Sequence, residues 1–383
     1  MTTDEAHDVP PSRRAVIKFA AVAATGLALP LSVGGAASAA VAEGEEADRS
    51  DDQSALSRHL RRLHQRALDE GGQLVVWAGG DSPTQEEPTR QAFIEAFPGI
   101  DITIKVDLSK YHVPRIDRQL ALGELEPDVA TLQTLNDFDY WKSQGALLPY
   151  KPWGWRRVYD AYKDPDGAYI GFTVYSFGRV SNTTLVSEAE APRDAQDFLA
   201  PRFRDQLVFT YPNDDDAVLY AFYLVVQQYG LEYMERLMEQ RPQFVRGAPA
   251  ALMAVASGQK LASFASFAPL ATIPGLPVRY SVPRRDPFMS WAQTAAIFKQ
   301  ARHPAAAKLY LTWLLTKERQ RQASQWSVRR DVAPPPGWQP ITAYRTQLTG
   351  FRDFMRDRAL VERFRGVVET FVGPVQGPSP LDV

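Results

Sequence analysis

The sequence predicts an α/β protein, and three observations carry that prediction. Short continuous apolar runs, Leu74 to Trp77 first among them, read as buried strands. Segments with apolar residues at three- and four-residue spacing stand between those runs and read as helices. The two kinds alternate in the order β-α-β-α-β, which implies a mostly parallel sheet with helices on both faces.

In chain order, Leu56, Leu60, Leu63 and Leu68 mark an amphipathic helix that stops at Gly71-Gly72. Leu74 to Trp77 is a strand opening into the loop Ala78-Gly79-Gly80-Asp81. Phe93, Ile94 and Phe97 share a helix face, and Pro98-Gly99 ends that helix. From Ile100 to Leu108 apolar and polar residues alternate, as in a strand with one wet face. Val113, Ile116 and Leu120 are spaced as a helix, and Asp128 to Leu132 is again strand-like. A second α/β unit has strands at Leu207 to Tyr211 and Leu261 to Ala265. Trp291 to Phe298 is a further strand, leading into a helix with Ala306, Leu309, Tyr310, Trp313 and Leu314 on one face. Gly373, Pro374, Gly377, Pro378 and Pro380 make the last residues an irregular tail. No repeat of solenoid or propeller period is present.

Composition narrows the function. The 383 residues contain no cysteine, which removes disulfide scaffolds, thiolate zinc sites, iron–sulfur clusters and cysteine nucleophiles. Forty-three basic against 45 acidic side chains give a net charge of −2, with no whole-chain attraction to nucleic acid or anionic lipid. Length alone is consistent with two to three domains and ample core.

Residues 1–39 read as an export signal. Arg13-Arg14 precede a modest Ala/Gly-rich apolar run from Phe19 to about Val33, and Ala37-Ser38-Ala39 is a small-x-small cleavage site. The paired arginines look like the twin-arginine signal that exports folded proteins. The run is shorter than the roughly 20 residues of a membrane span, and Gly and Pro interrupt it. No cysteine stands at the cleavage site, so no lipid anchor is expected. Residues 40–52 are small and acidic and predict a disordered leader. The mature chain is expected in a periplasm or outside the cell.

Catalytic signatures are absent: no G-x-S-x-G, H-E-x-x-H, P-loop, or G-x-G-x-x-G after the first strand. His59, His64, His112 and His303 show no metal-pair spacing and read as solvated surface residues. An enzyme is therefore the weaker class, and no cofactor or metal is expected.

Four segments resemble the solute-binding components of ABC importers, in the group that includes ferric-iron, thiamine and polyamine binders. They are Leu68-Asp69-Glu70-Gly71-Gly72-Gln73-Leu74-Val75-Val76-Trp77; Pro127-Asp128-Val129 with Gly145-Ala146-Leu147-Leu148-Pro149-Tyr150; Asp164 to Phe172 followed by Asn182-Thr183-Thr184-Leu185; and Ala295 to Phe298 followed by His303 to Lys308 and Glu318-Arg319-Gln320. Their order spans about residues 60–325. The resemblance implies a two-lobed, type II periplasmic-binding-protein-like α/β fold, with hinge strands between lobes and a ligand cleft. Lobe one would be 53–172 plus 283–325, and lobe two 173–282 plus 326–383. It also implies a small-molecule ligand and a cognate permease with its ATPase, besides the twin-arginine export machinery. A monomer is expected, with no nucleic-acid partner.

The ligand-binding candidates follow. Trp77, Gly79, Gly80 and Asp81 end the first strand, where glycines allow close backbone approach; an ordinary turn with Trp77 in the core is the alternative. Gln133 and Thr134 follow the third strand, Tyr175 lies at the crossing, and Trp291 lies on the returning strand. Asp214, Asp215 and Asp216 precede a helix, where they either cap it or face the cleft. A carboxylate run disfavours a phosphate or sulfate ligand, so with Asp81 it points to a cationic or neutral organic solute. Twelve of the 42 residues from Phe138 to Arg179 are aromatic; most are expected in core, with one or two at the cleft. The ferric branch typically offers two adjacent tyrosines in lobe two. The equivalent stretch here, Ala262 to Phe267, offers Phe264 instead, and phenylalanine gives a hard cation no oxygen. Iron stays as the alternative ligand. An exported α/β hydrolase or lyase is the alternative of a different class, and a sensory partner of a membrane receptor is a third reading.

Overall fold

The computed structural model describes residues 36–382, so of the segment 1–39 read as an export signal all but the last four residues lie outside the described residues. Helix α1 (Ala36–Asp69) is helical through 40–52, the stretch read as a leader, and on into the predicted apolar stripe, of which Leu63 and Ala67 are buried. β1 (Gln73–Gly79), α2 (Glu87–Ala96), β2 (Asp101–Asp107), α3 (Ser109–Leu122) and β3 (Val129–Leu132) then follow the predicted alternation. β1 lies between β2 and β3 and runs parallel to both, with Val76 opposite Ile104 on one side and Val129 on the other. Neighbours on both sides and helices on both faces explain its unbroken apolar run; β2, at the sheet edge, keeps its alternation.

Beyond α4 (Leu135–Ser143) comes the thirteen-residue strand β4 (Ile170–Asn182). The next elements are β5 (Val208–Thr210), α5 (Asp216–Tyr229), α6 (Glu232–Glu239), β6 (Gln243–Val245), α7 (Ala248–Ala256), β7 (Ala262–Ser266), β8 (Val278–Ser281) and β9 (Met289–Ile297). Helices α8 (Pro304–Leu314), α9 (Lys317–Gln322), α10 (Gly350–Arg356) and α11 (Arg358–Val372) complete the chain.

The main sheet has the order β2-β1-β3-β9-β4-β7, with β8 also on β4. The expected mostly parallel sheet needs correcting. Parallel pairing is confined to β1 with β2 and β3, and to the separate pair β5–β6; β9, β4, β7 and β8 join antiparallel. The reason is that β4 and β9 cross the molecule in opposite directions. β4 pairs with β9 from Ile170 to Phe177, Tyr175 opposite Trp291, and from Gly178 onward pairs with β7 and β8. The register shifts at Gly178, where a Cβ would stand 2.5 Å from the Ser281 carbonyl oxygen, so only glycine fits.

Three cores hold the sheet. On one face, Phe93 and Phe97 of α2 and Tyr310 and Trp313 of α8 pack over Leu74 and Val76. On the other, Trp77, Ile116, Phe138, Trp141 and Phe298 form a second cluster. The third lies beyond the crossing, where Phe198, Phe209, Phe222 and Phe264 are joined by Phe351, Phe354, Val361 and Val368 of α10 and α11. Burying one aromatic ring of this kind contributes about 1.5–3 kcal/mol. Residues 326–331 sit beside the 155–163 and 315–320 segments: Val174 bridges Trp326, Val158 bridges Arg329, and Arg329 Nη1 donates to the Leu315 carbonyl at 2.7 Å.

Two histidines depart from the expected solvated surface. His112 is fully buried beneath Trp77, with Nε2 3.1 Å from the Ala78 carbonyl oxygen, and His303 Nδ1 is 2.9 Å from Asp128 Oδ2. Asp128 also accepts from the Val75 and His303 N–H groups, so that its buried carboxylate is fully engaged, while His112 Nδ1 has no partner among the described residues.

Candidate functional site

In open α/β sheets the loops at the carboxyl ends of parallel strands surround the ligand crevice. Here the loops after β1, β2, β3 and β5 converge. Asp81 Oδ2 accepts from the Ala248 N–H at the start of α7, 3.0 Å away. Gln133 Nε2 donates to Asp215 Oδ1 at 3.4 Å, and Lys110 Nζ, in the first turn of α3, donates to Asp214 Oδ1 at 2.6 Å. All three contacts join the β1–β3 sector to the α5–α7 sector, and all are polar. β4 and β9, with Tyr175 and Trp291 at 5.3 Å, run behind them.

Gly79 is closely approached by a side chain of the protein itself. A Cβ there would stand 2.0 Å from Ser109 Oγ, which accepts from the Gln133 N–H at 3.2 Å. Gly80 turns the chain, and the Asp81 N–H donates to Gln85 Oε1 at 3.1 Å. Thr134 starts α4, 5% exposed, with its hydroxyl unpartnered.

The three aspartates go to three different places. Asp215 is the N-cap of α5, accepting from the Ala217 and Val218 N–H groups at 2.7 and 3.1 Å. Burial, with the Asp81 charge added, pushes its carboxyl up to about 7. Burial likewise raises Asp81, against the pull of the Ala248 N–H. Asp214 is held below the usual carboxylate range: burial opposes this, but Arg246, at 2.8 Å, and Lys110 outweigh it. Asp216 pairs with Arg365 of α11. The run that reads in sequence as a bare negative field is thus one cap and two ion pairs, and the charge argument for a cationic ligand loses its footing. Asp215 both caps α5 and meets Gln133 of the other sector, Asp214 meets Lys110, and Asp216 does neither.

Two candidates lie elsewhere. Trp77 is 1% exposed, stacked on His112 with Lys105 Nζ over its ring at 4.9 Å, because side chains alternate along β1 and this one falls on the covered face. Phe264 is 1% exposed in the third core, 4.5 Å from Phe209 and 4.9 Å from Phe222. Phe267, past the end of β7, is the phenylalanine that reaches Tyr175, edge-on at 6.4 Å.

Sequence reasoning missed Lys110, Arg246, Glu86 and Arg319. The first two stand beside strand ends and could have been found from that position alone. Glu86 precedes α2 without capping it, and Arg319 lies on α9. Arg319 Nη2 donates to Thr89 Oγ1 at 2.9 Å, and its guanidinium lies over the Trp313 ring at 4.8 Å. Burial raises Glu86 and lowers Arg319, and both charges act on the Tyr175 phenol of the crossing strand, which burial raises. Among the described residues no group of three His, Cys, Asp or Glu side chains is arranged to hold a metal ion, and no helix is long and apolar enough to cross a membrane.

Residues 127–327, more than half the chain, match the sequence profile of the family described as bacterial extracellular solute-binding protein. Solved structures share the fold. Iron-bound HitA from Pseudomonas aeruginosa aligns at TM-score 0.63 with 19% identity, over 77% of this chain and 99% of its own. AfuA from Actinobacillus pleuropneumoniae, with exogenous fructose-6-phosphate bound, aligns at 0.64 with 16% identity, over 79% and 99%. The substrate-binding protein of an ABC transporter from Agrobacterium tumefaciens aligns at 0.65 with 18% identity, over 77% and 94%. None of the curated proteins matches by sequence. The chain belongs to the bacterial extracellular solute-binding family, with the fold of the type II periplasmic binding proteins.

Proposed function

We propose that this protein captures a small organic solute in the cleft between the β1–β3 sector and the α5–α7 sector and delivers it to an ABC permease with its ATPase, with no chemistry of its own. The observation that carries this reading is the nature of the contacts across the cleft: Asp81 to Ala248, Gln133 to Asp215, and Lys110 to Asp214 are polar and exchangeable with water. A permanent domain interface would be apolar, whereas contacts of this kind let two lobes open about crossing strands and reclose. The lobes are taken as 53–172 plus 283–331 and 173–282 plus 332–383, residues 326–331 going with the first because they pair with Val158 and Leu315, and β4 and β9 run between the two. The aspartates that could offer oxygen to iron are engaged by Lys110, Arg246, Arg365 and backbone N–H groups, which favours an organic solute over a ferric ion. Export by the twin-arginine route to the periplasm, without a lipid anchor, and a monomeric state complete the proposal.

The test is a thermal-shift screen of the mature chain against sugars, amino-acid derivatives, polyamines, thiamine-like cations, phosphonates and Fe³⁺. A ligand that binds only the folded state raises the melting temperature. Stabilisation by an organic solute that is recovered chemically unchanged is the expected result. Turnover of the stabilising compound would favour a hydrolase or lyase instead, and stabilisation by Fe³⁺ alone would restore the ferric reading.

A further inference from the structure

The segment after α11 returns to the cleft. Gly373 ends that helix with a φ of 76°, and Pro374 bars its continuation, so residues 373–382 run on without regular structure. Two side chains that flank the cleft catch its carbonyls. Asn213 Nδ2 donates to the Gly373 carbonyl at 3.1 Å, and Arg246 Nη1 donates to the Gly377 carbonyl at 3.4 Å. Farther along, Pro380 lies on Gly247, where a Cβ would stand 3.0 Å from Pro380 Cβ and 3.6 Å from Asp81 Cβ. One glycine of the α5–α7 sector is thus flanked by a proline of this segment and by an aspartate of the β1–β3 sector.

This path runs beside two of the polar contacts that join the sectors. Gly247 immediately precedes Ala248, whose N–H donates to Asp81. Arg246 gives Nη1 to the segment and Nε to Asp214, the carboxylate that meets Lys110 of the facing sector. The segment itself is lightly held. Pro374, Gln376, Gly377 and Pro378 are exposed, and the bond to Gly377 is long. Stretches with so few buried contacts open far more readily than the cores they lie on. Pro374, Pro378 and Pro380 restrict the free chain, so docking costs it little conformational entropy. Such a segment attaches and detaches without unfolding either sector.

We propose that residues 374–382 form a detachable strap beside the seam of the cleft. Docked, it steadies Arg246 on Asp214 and flanks the Asp81–Ala248 contact; lifted, it lets the sectors part. This rests on the cleft reading above, and the experiment separates the two ideas. The full mature chain is compared with one lacking residues 374–383, which keeps the Gly373 carbonyl on Asn213, and with Pro380→Gly. Each carries fluorophores on Leu122→Cys and Leu231→Cys, exposed positions on the two sectors, and no solute is added. Removing the segment should raise the ratio of open to closed molecules about fivefold, the change made by losing one ordinary hydrogen bond. Pro380→Gly should raise it by less. Hydrogen exchange of the Ala248 amide should quicken by the same factor, with the β1 amides from Val75 to Trp77 unchanged. Exchange that quickens equally in β1 would mean that the segment merely supports the fold, and overturns the strap. If intact and shortened chains show open and closed molecules in the same ratio, the cleft stands and the strap falls. If neither chain shows a second separation, even with a solute that raises the melting temperature, the cleft reading falls as well.

Discussion

Two regions of the molecule handle charge in opposite ways. Where Asp81, Lys110, Asp214, Asp215 and Arg246 gather, each group is answered by an opposite charge or by a helix N-terminus. Beside α9, the Arg319 guanidinium instead rests on the Thr89 hydroxyl and the Trp313 face, and among the described residues no carboxylate lies within 4.0 Å of it. The lesson is that the acidic run most visible in the sequence is matched member by member, two of the three to the facing sector, while the less visible Arg319 is held by neutral groups.

The largest expected effect comes from a carboxylate more deeply buried and engaged than any in the acidic run. Asp286 is 2% exposed and accepts from Tyr229, at 2.5 Å, and from the Ala195 N–H, at 2.6 Å, while facing Arg179. Asp286→Ala leaves Arg179 buried and unmatched, and should lower stability by about 3–5 kcal/mol in urea unfolding. Arg319→Gln, which loses only the Thr89 hydrogen bond and the Trp313 contact, should lower it by about 1 kcal/mol. Equal losses in the two variants would erase the distinction between charges met by charge and charges held by neutral groups.

A pH series gives the next effect, with opposite signs among the cleft carboxylates. Asp215 is raised, so between its ordinary value near 3.8 and about 7 the folded protein binds the extra proton. Its contribution therefore falls as pH rises through that window and is recovered on acidification. Asp81, raised beside it, acts in the same sense, while the lowered Asp214 contributes stability above its ordinary range and loses it in acid. Melting temperature should rise by a few degrees as pH is lowered from about 8 to about 6, and Asp215→Asn should flatten that rise. A rise that persists in Asp215→Asn would assign the titration elsewhere.

Much of this was legible in the sequence. The strands at Leu74 to Trp77 and at Trp291 follow from unbroken apolar runs, and the helix faces at Phe93 and Ile116 from periodicity, because one-sided burial writes its period into the residues. The loops at Gly79–Asp81 and Gln133–Thr134 follow from strand ends. What was not legible depends on pairing distant segments. Whether Asp214 is bare or matched is decided by Lys110, 104 positions upstream. Trp77 and Phe264 were misplaced because a strand residue's face is set by register, and a continuous apolar run hides the register. The antiparallel centre of the sheet was missed because β4 belongs to two pairings, which no local pattern records.

The smallest effect sharpens the region beside α9. Thr89→Ala removes the hydroxyl that receives the Arg319 hydrogen bond and leaves the charge in place. Stability should fall by about 0.5–1 kcal/mol in urea unfolding, as for one neutral partner of a half-buried hydrogen bond. A loss larger than that of Arg319→Gln would mean that Thr89 positions more than the guanidinium.

The central claim is that the two sectors close on a solute. The chain has no cysteine, so Leu122→Cys with Leu231→Cys, both exposed in the native protein (56% and 43%), places two fluorophores specifically, one on each sector. Single-molecule energy transfer should show an open population in the free protein and a shift to one shorter separation on adding the stabilising solute. A single separation, unchanged by a solute that raises the melting temperature, would contradict the claim.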